Sequence, residues 1–250
     1  MELRKLVLAI MTVDREPPYV HQTLASLFAA DGLVHELTSV HLVIGTSDAQ
    51  YLDNYRHHGG LSFHPLTEEE HEEIKSWGTH RRFCHNYVRC LSLPIPDGGG
   101  ICVCEDDIVF RDLFLQRLLQ AIDEMENDAG LTDYCLALFT DCDLEGEPSF
   151  YRGRHFCSYG WSFHGTQCMY YPRRVALEIR DYIKQHGVDK CEDCGDLLIG
   201  KLYGDRMYAC PRALADHIGT LSTGLGGAGH GPSFHRPYRP ISREQWGQHI

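Results

Sequence analysis

The sequence predicts an α/β fold: a Rossmann-like single domain with a central, mostly parallel sheet flanked by helices. Apolar runs of strand length alternate with longer amphipathic segments, the pattern of strand–helix–strand units. The first such unit is unbroken, from residues 6–11 through residues 19–30 to residues 40–44. A chain of 250 residues with 43% hydrophobic content can also bury a full core of this kind.

The elements follow in order. Residues 6–11 (Leu-Val-Leu-Ala-Ile-Met) read as a buried strand, ended by the turn residues and prolines of residues 12–18. Residues 19–30 place Val20, Leu24, Leu27 and Phe28 on one helical face, and residues 40–44 form the second strand. Parallel sheets gather ligands outside the carboxyl ends of their strands. Thr12, Asp14, Arg15, Ser47 and Asp48 fall at those ends and outline a nucleotide crevice. Any one of them taken singly is ordinary turn chemistry.

Residues 66–74 are a charged helical piece with a solvated face. Residues 80–91 form a helix with a basic start, which brings Arg82 or Asn86 toward the same crevice unless the arginines simply pair with the nearby glutamates. A Gly-rich turn at residues 98–100 leads into the apolar strand 101–104, which stops at Glu105, Asp106 and Asp107. Three adjacent carboxylates against a hydrophobic strand repel one another and resist burial. Either they hold a hard divalent cation on a diphosphate, Mg²⁺ or Mn²⁺, or they cap the strand and face water.

Residues 113–126 are a helix with Leu115, Leu118, Leu119 and Ile122 on its apolar face, and residues 134–139 a strand. Residues 140–153 are an acidic surface loop. Residues 159–171 form a strand pair edged by a loop, in which Trp161 either fills the core or stacks on a sugar ring. A helix starts at Pro172 and runs to about Gln185. Cys191-Glu-Asp-Cys194 is a single C-x-x-C, weak as a zinc site, with His186 the nearby third ligand. Residues 196–203 are a helix with Asp196 in its first turn, where an acid is a normal cap. A short strand at 207–211 precedes a polar turn that carries His217. Residues 1–223 make the domain, and residues 224–250 a tail rich in Gly, Pro, His and Arg.

The formal charge of -12 excludes broad electrostatic binding to nucleic acid. Eleven scattered cysteines do not form the framework of a small disulfide-rich secreted domain, so reduced thiols and a cytoplasmic location are expected. The apolar run near the N-terminus is too short for a membrane span.

The acidic strand end, the helix before it and the motifs after it resemble glycosyltransferases of the A-type fold, and more narrowly the N-acetylglucosaminyltransferase IV family. Glu105-Asp106-Asp107 looks like the D-x-D signature. Phe163-His164-Gly165 is similar to that family's Phe-Ile-Gly, and Asp196-Leu197-Leu198 to its Asp-Trp-Leu-Leu. Residues 211–222 resemble its Pro-x-x-x-Gln-His-x-Gly-x-x-Ser block. Asn86 stands where the family has Asp, and Asp216 where it has Gln.

The resemblance implies a metal-dependent transferase that moves a sugar, N-acetylglucosamine among the candidates, from a UDP-sugar to an acceptor hydroxyl with inversion. The acceptor class stays open among glycan, lipid, protein and small molecule. Asp107 and His217 would hold Mn²⁺ (or Mg²⁺), imidazole favouring manganese. Glu105 and Asp106 would position ribose or metal-bound water, with Thr12, Asp14, Arg15, Arg82 and Asn86 lining the donor site and Asp196 acting as general base. Two other readings compete: a sugar nucleotidyltransferase, disfavoured by a first loop poor in glycine, and a non-catalytic sugar-binding protein on the same fold.

Overall fold

The computed structural model describes residues 5–16, 18–30, 38–140, 153, 155–158 and 166–219. Trp161, residues 163–165, residues 220–222 and the tail from residue 224 lie outside the described residues. The expectations placed on them are not addressed by the structure.

The first unit is β1 (Leu6–Thr12), α1 (Val20–Ala30) and β2 (Thr38–Ile44). β1 is buried along its whole length, as a central parallel strand covered on both faces must be. A 3₁₀ turn at Gln50–Tyr55 leads to β3 (Leu61–His64), which the sequence reading passed over. Four residues of mixed exposure make a weak strand signal, and β3 is fixed by pairing beside β2. Next come α2 (Glu68–Ile74), which opens on a Thr67–Glu70 capping box, and α3 (Thr79–Leu91).

β4 (Gly100–Glu105) carries the first of the three acids. The chain turns at Asp106 and Asp107 and resumes as β5 (Ile108–Phe110). α4 (Phe114–Asp123) follows; the helix expected to run to residue 126 passes instead into a wider π-type turn at Glu124–Asp128. β6 (Cys135–Ala137), β7 (Cys157–Ser158) and β8 (Cys168–Pro172) come next, then α5 (Arg173–Ile183), α6 (Gly195–Tyr203), β9 (Met207–Ala209) and β10 (Ala215–His217).

Eight strands form one sheet in the order β3-β2-β1-β4-β8-β6-β9-β7. β3, β2, β1 and β4 run parallel, β8 and β7 run against them, and β6 and β9 run with them. Alternate residues of the strands feed two cores. Leu8, Ile10, Leu42 and Cys104 pack with Val20, Leu24 and Leu27 of α1 and Leu118 of α4. Val7, Ala9, Val103 and Met169 pack on the other face with Tyr87 of α3, Val175 of α5 and Leu198 of α6. The result is a helix–sheet–helix sandwich, as expected.

β5 and β10 make a separate two-stranded antiparallel sheet, with His217 opposite Ile108 and Asp216 opposite Val109. His217 therefore sits in a strand and not in the polar turn that the sequence suggested. Three residues are too few to show alternation; the pairing is fixed by a distant partner. Arg111 clamps Asp216 with two bonds from the Nε–Nη2 edge of its guanidinium and donates a third from Nη1 to the Ala213 carbonyl at 3.0 Å.

Candidate active site

The three acids are delivered to the end of β4, beside the C-terminal end of β1. Asp106 and Asp107 are only 5% and 6% exposed, so the reading in which they face water is ruled out. Asp106 is held from two sides. The Thr12 hydroxyl donates to its Oδ2 at 2.7 Å, and the Arg15 guanidinium pairs with its Oδ1. The same Arg15 nitrogen lies 3.1 Å from Asp107 Oδ2, and the guanidinium rests over the Tyr19 ring at 4.7 Å. From the other side, the small sheet brings His217 Nε2 to 3.4 Å from Asp107 Oδ2.

The turn that bears the acids is pinned by a residue the sequence reading missed. The Thr23 hydroxyl of α1 is fully buried and reaches the Asp106 carbonyl at 2.7 Å and the Ile108 carbonyl at 2.6 Å. A signal existed: Thr23 is the polar member of an otherwise apolar stripe with Val20, Leu24 and Leu27. Beyond β10, the Ile218 N–H donates to the Asp107 carbonyl at 2.8 Å. Gly219 then passes so close that a Cβ there would lie 2.3 Å from Asp107 Oδ2 and 3.0 Å from His217 Nε2. Only glycine fits this approach without displacing one of the two groups.

The electrostatics show a site with excess negative charge. Burial and the neighbouring Asp107 charge push Glu105 up to about 8. Burial likewise raises Asp106 to about 6, against the pull of Arg15. Burial works against Asp107 too, but its hydrogen bond and charge contact with His217, reinforced by Arg15, hold it below the usual carboxylate range. Asp107 is thus the most readily ionised of the three, and its Oδ1 is a buried oxygen with no hydrogen-bond partner among the described residues.

That orphaned oxygen and the imidazole nitrogen beside the same carboxylate are two ligands of the kind Mn²⁺ or Mg²⁺ accepts, while both Asp106 oxygens are taken by Thr12 and Arg15. Such ions take one or two protein ligands and complete their shell with phosphate and water. The residues fit the cation.

The structure thus joins Thr12, Arg15, Glu105, Asp106, Asp107 and His217. The other candidates make no hydrogen bond or ion pair with this cluster among the described residues. Asp14 and Arg82 are exposed. Asn86 is buried beneath Gly45, where a Cβ would meet its Nδ2 at 2.5 Å, and accepts from Arg89 at 3.1 Å. Arg89 also caps the carbonyls of Ile44, His64 and Pro65, each at 2.8 Å, so this pair secures the ends of β2 and β3. Arg81 stacks on Trp77 and donates to the Val188 carbonyl, instead of pairing with the glutamates. Asp196, half-buried at the start of α6, accepts from the Cys194 thiol at 2.8 Å and the Leu197 N–H at 2.9 Å. It makes no hydrogen bond or ion pair with the three acids.

The sheet and its flanking helices match the glycosyltransferase A-type fold. No protein-family model and no curated protein matches the sequence. Among solved structures, the chain is similar to S. aureus TarS residues 1–349 with a TM-score of 0.56 at 16% identity, over 84% of this chain and 59% of that one. A longer TarS structure gives 0.54 at 15% identity, over 84% of this chain and 36% of that one. Mouse xyloside xylosyltransferase 1 matches at 0.48 and 13% identity, over 81% and 84% of the two chains. The solved structures it resembles are glycosyltransferases of this fold. At such identities the likeness concerns the fold, and this chain spans only part of TarS. No helix among the described residues is long and apolar enough to cross a membrane.

Proposed function

We propose that the chain is a metal-dependent glycosyltransferase that moves a sugar from a UDP-sugar to an acceptor hydroxyl with inversion. The observation that carries this reading is the buried Asp107 Oδ1, unpartnered among the described residues, on the carboxylate whose Oδ2 faces His217. Asp107 and His217 would hold the cation, which supplies Lewis-acid stabilisation for charge on the departing diphosphate. Arg15, already poised against Asp106 and Asp107, is the natural second positive group for that diphosphate. Thr12 fixes the Asp106 carboxylate through its hydroxyl, and the pair would line the nucleotide side of the site. The narrower resemblance to N-acetylglucosaminyltransferase IV makes UDP-N-acetylglucosamine the first donor to try.

Asp196 is the proposed general base on the acceptor side. Its carboxylate is oriented by the Cys194 thiol and by the N–H of Leu197, and Leu197 is itself half-exposed at 50%. That places one exposed apolar side chain beside the carboxylate.

The test is a thermal-shift series with UDP and UDP-N-acetylglucosamine, with and without Mn²⁺, on the wild type, Asp107→Asn and Asp196→Asn. The expected result is nucleotide stabilisation that requires Mn²⁺, is lost in Asp107→Asn, and survives in Asp196→Asn while transfer is abolished. Stabilisation by a sugar 1-phosphate with a nucleoside triphosphate would instead mean sugar activation. Indifference to every nucleotide would leave a sugar-binding protein.

A further inference from the structure

One strand position behind the acids lies a cluster of sulfur that the proposed chemistry does not use. The Sγ atoms of Cys102, Cys104 and Cys168 all lie within 4.8 Å of one another, and all three residues are buried. Cys102 and Cys104 are two apart on β4 and so share a face. Cys168 stands directly across from Cys104 in the antiparallel β4–β8 ladder, and Tyr170 across from Cys102.

The register settles which kind of pair this is. The next pair along, Glu105 and Gln167, is joined by the Glu105 N–H donating to the Gln167 carbonyl at 2.8 Å. Hydrogen-bonded and non-hydrogen-bonded pairs alternate along an antiparallel ladder, so Cys104 and Cys168 form a non-hydrogen-bonded pair. In such pairs the Cα atoms approach to about 4.5 Å and the side chains are closest. That separation lies inside the window for a disulfide. The two sulfurs are already 3.2 Å apart.

A thiophilic metal is the competing use of three thiols. Three thiolates around a monovalent or divalent cation carry net negative charge, here buried in an apolar core one residue from Glu105, Asp106 and Asp107. A disulfide is neutral and needs only two of the three sulfurs.

We propose that Cys104 and Cys168 form a reversible cross-strand disulfide that fastens the acid-bearing end of β4 to β8, with a hydroperoxide as oxidant. One thiol gives up its proton and attacks the peroxide, becoming a sulfenic acid. The second thiol attacks that sulfur, forming the S–S bond and expelling water. Overall two thiols and one hydrogen peroxide give one disulfide and two waters, and a dithiol reductant reverses the change. Burial pushes both thiols well above their ordinary range, so the reaction is slow and follows local opening.

The experiment treats the folded full chain with hydrogen peroxide, alkylates the remaining thiols after denaturation, and maps the peptides. The expected result is a Cys104–Cys168 cross-link with a Tm rise of about 5 °C or more, both removed by dithiothreitol. Cys102→Ala should keep the cross-link, and Cys168→Ala should abolish it together with the reductant-sensitive part of Tm. The proposal is overturned if Cys104 and Cys168 both remain alkylatable after the exposed Cys191 has been oxidised. A cross-link through Cys102, or a stoichiometric metal in the purified protein that shields all three thiols, would overturn it equally.

Discussion

Thr23→Val tests whether α1 holds the acid-bearing turn. Valine keeps the shape of threonine and replaces the hydroxyl by a methyl group. The hydroxyl has one hydrogen shared between two carbonyls, of Asp106 and Ile108. Its removal therefore costs about one buried hydrogen bond plus the desolvation of an acceptor left unpaired, about 1–3 kcal/mol. For a chain of this size each kcal/mol moves Tm by about 2–4 °C, so a fall of about 2–12 °C is expected. The same variant should weaken Mn²⁺-dependent nucleotide stabilisation, because the turn positions both Asp106 and Asp107. Calorimetry with and without Mn²⁺ and UDP measures both effects. A Tm within 1 °C of wild type, with unchanged nucleotide response, would refute the reasoning.

Arg111→Met removes the partner that clamps Asp216 and keeps most of the side-chain volume. It should cost about 1.5–3 kcal/mol, read as Tm, and should reduce the Mn²⁺ response more than Tm alone predicts by loosening the strand that carries His217. A pH dependence follows from Glu105. Its folded value of about 8 lies above its ordinary 4.5, so the native state keeps a proton that the unfolded chain releases. Metal-free stability should therefore fall as pH rises between about 4.5 and 8. Glu105→Gln should flatten that fall in a Tm-against-pH series, and an identical slope in the variant would contradict the assignment. Mn²⁺ should stabilise the wild type more at pH 8 than at pH 5.5, because binding releases the proton.

The main sheet was legible because its central strands are apolar on both faces and its helices carry a stripe on one. The acid cluster was legible as a cluster because three consecutive carboxylates end a buried strand, but whether they faced water or one another depended on partners such as Thr12 and Arg15, more than 90 positions away. What escaped was set by pairing partners remote in sequence. β3 and β10 are too short to show alternation. Arg111 stands 105 positions from Asp216, and nothing local marks the two as a pair. Asn86 shows the opposite failure. It lies on a helix aimed at the crevice, but the absence of a side chain at Gly45 draws it into the framework. Thr23 had a visible signal, a lone hydroxyl on a buried stripe, whose meaning depended on carbonyls more than 80 residues away.

The charges near the turn explain why Arg15 matters. Glu105 and Asp106 are raised because burial and neighbouring carboxylates outweigh the one guanidinium and one imidazole that answer them among the described residues. Arg15 relieves the strain only in part, since its nitrogen reaches Asp106 Oδ1 and Asp107 Oδ2, and Asp107 Oδ1 has no partner among the described residues. A divalent cation at Asp107 would bring more charge to the corner than a guanidinium does and would take up that remaining lone pair. Arg15 would then be released from part of its duty toward the acids at the moment a diphosphate arrives with new negative charge. Substitution of Arg15 by lysine separates the two duties: a point charge can still neutralise the acids, but it cannot bridge them and a phosphate through a planar fork.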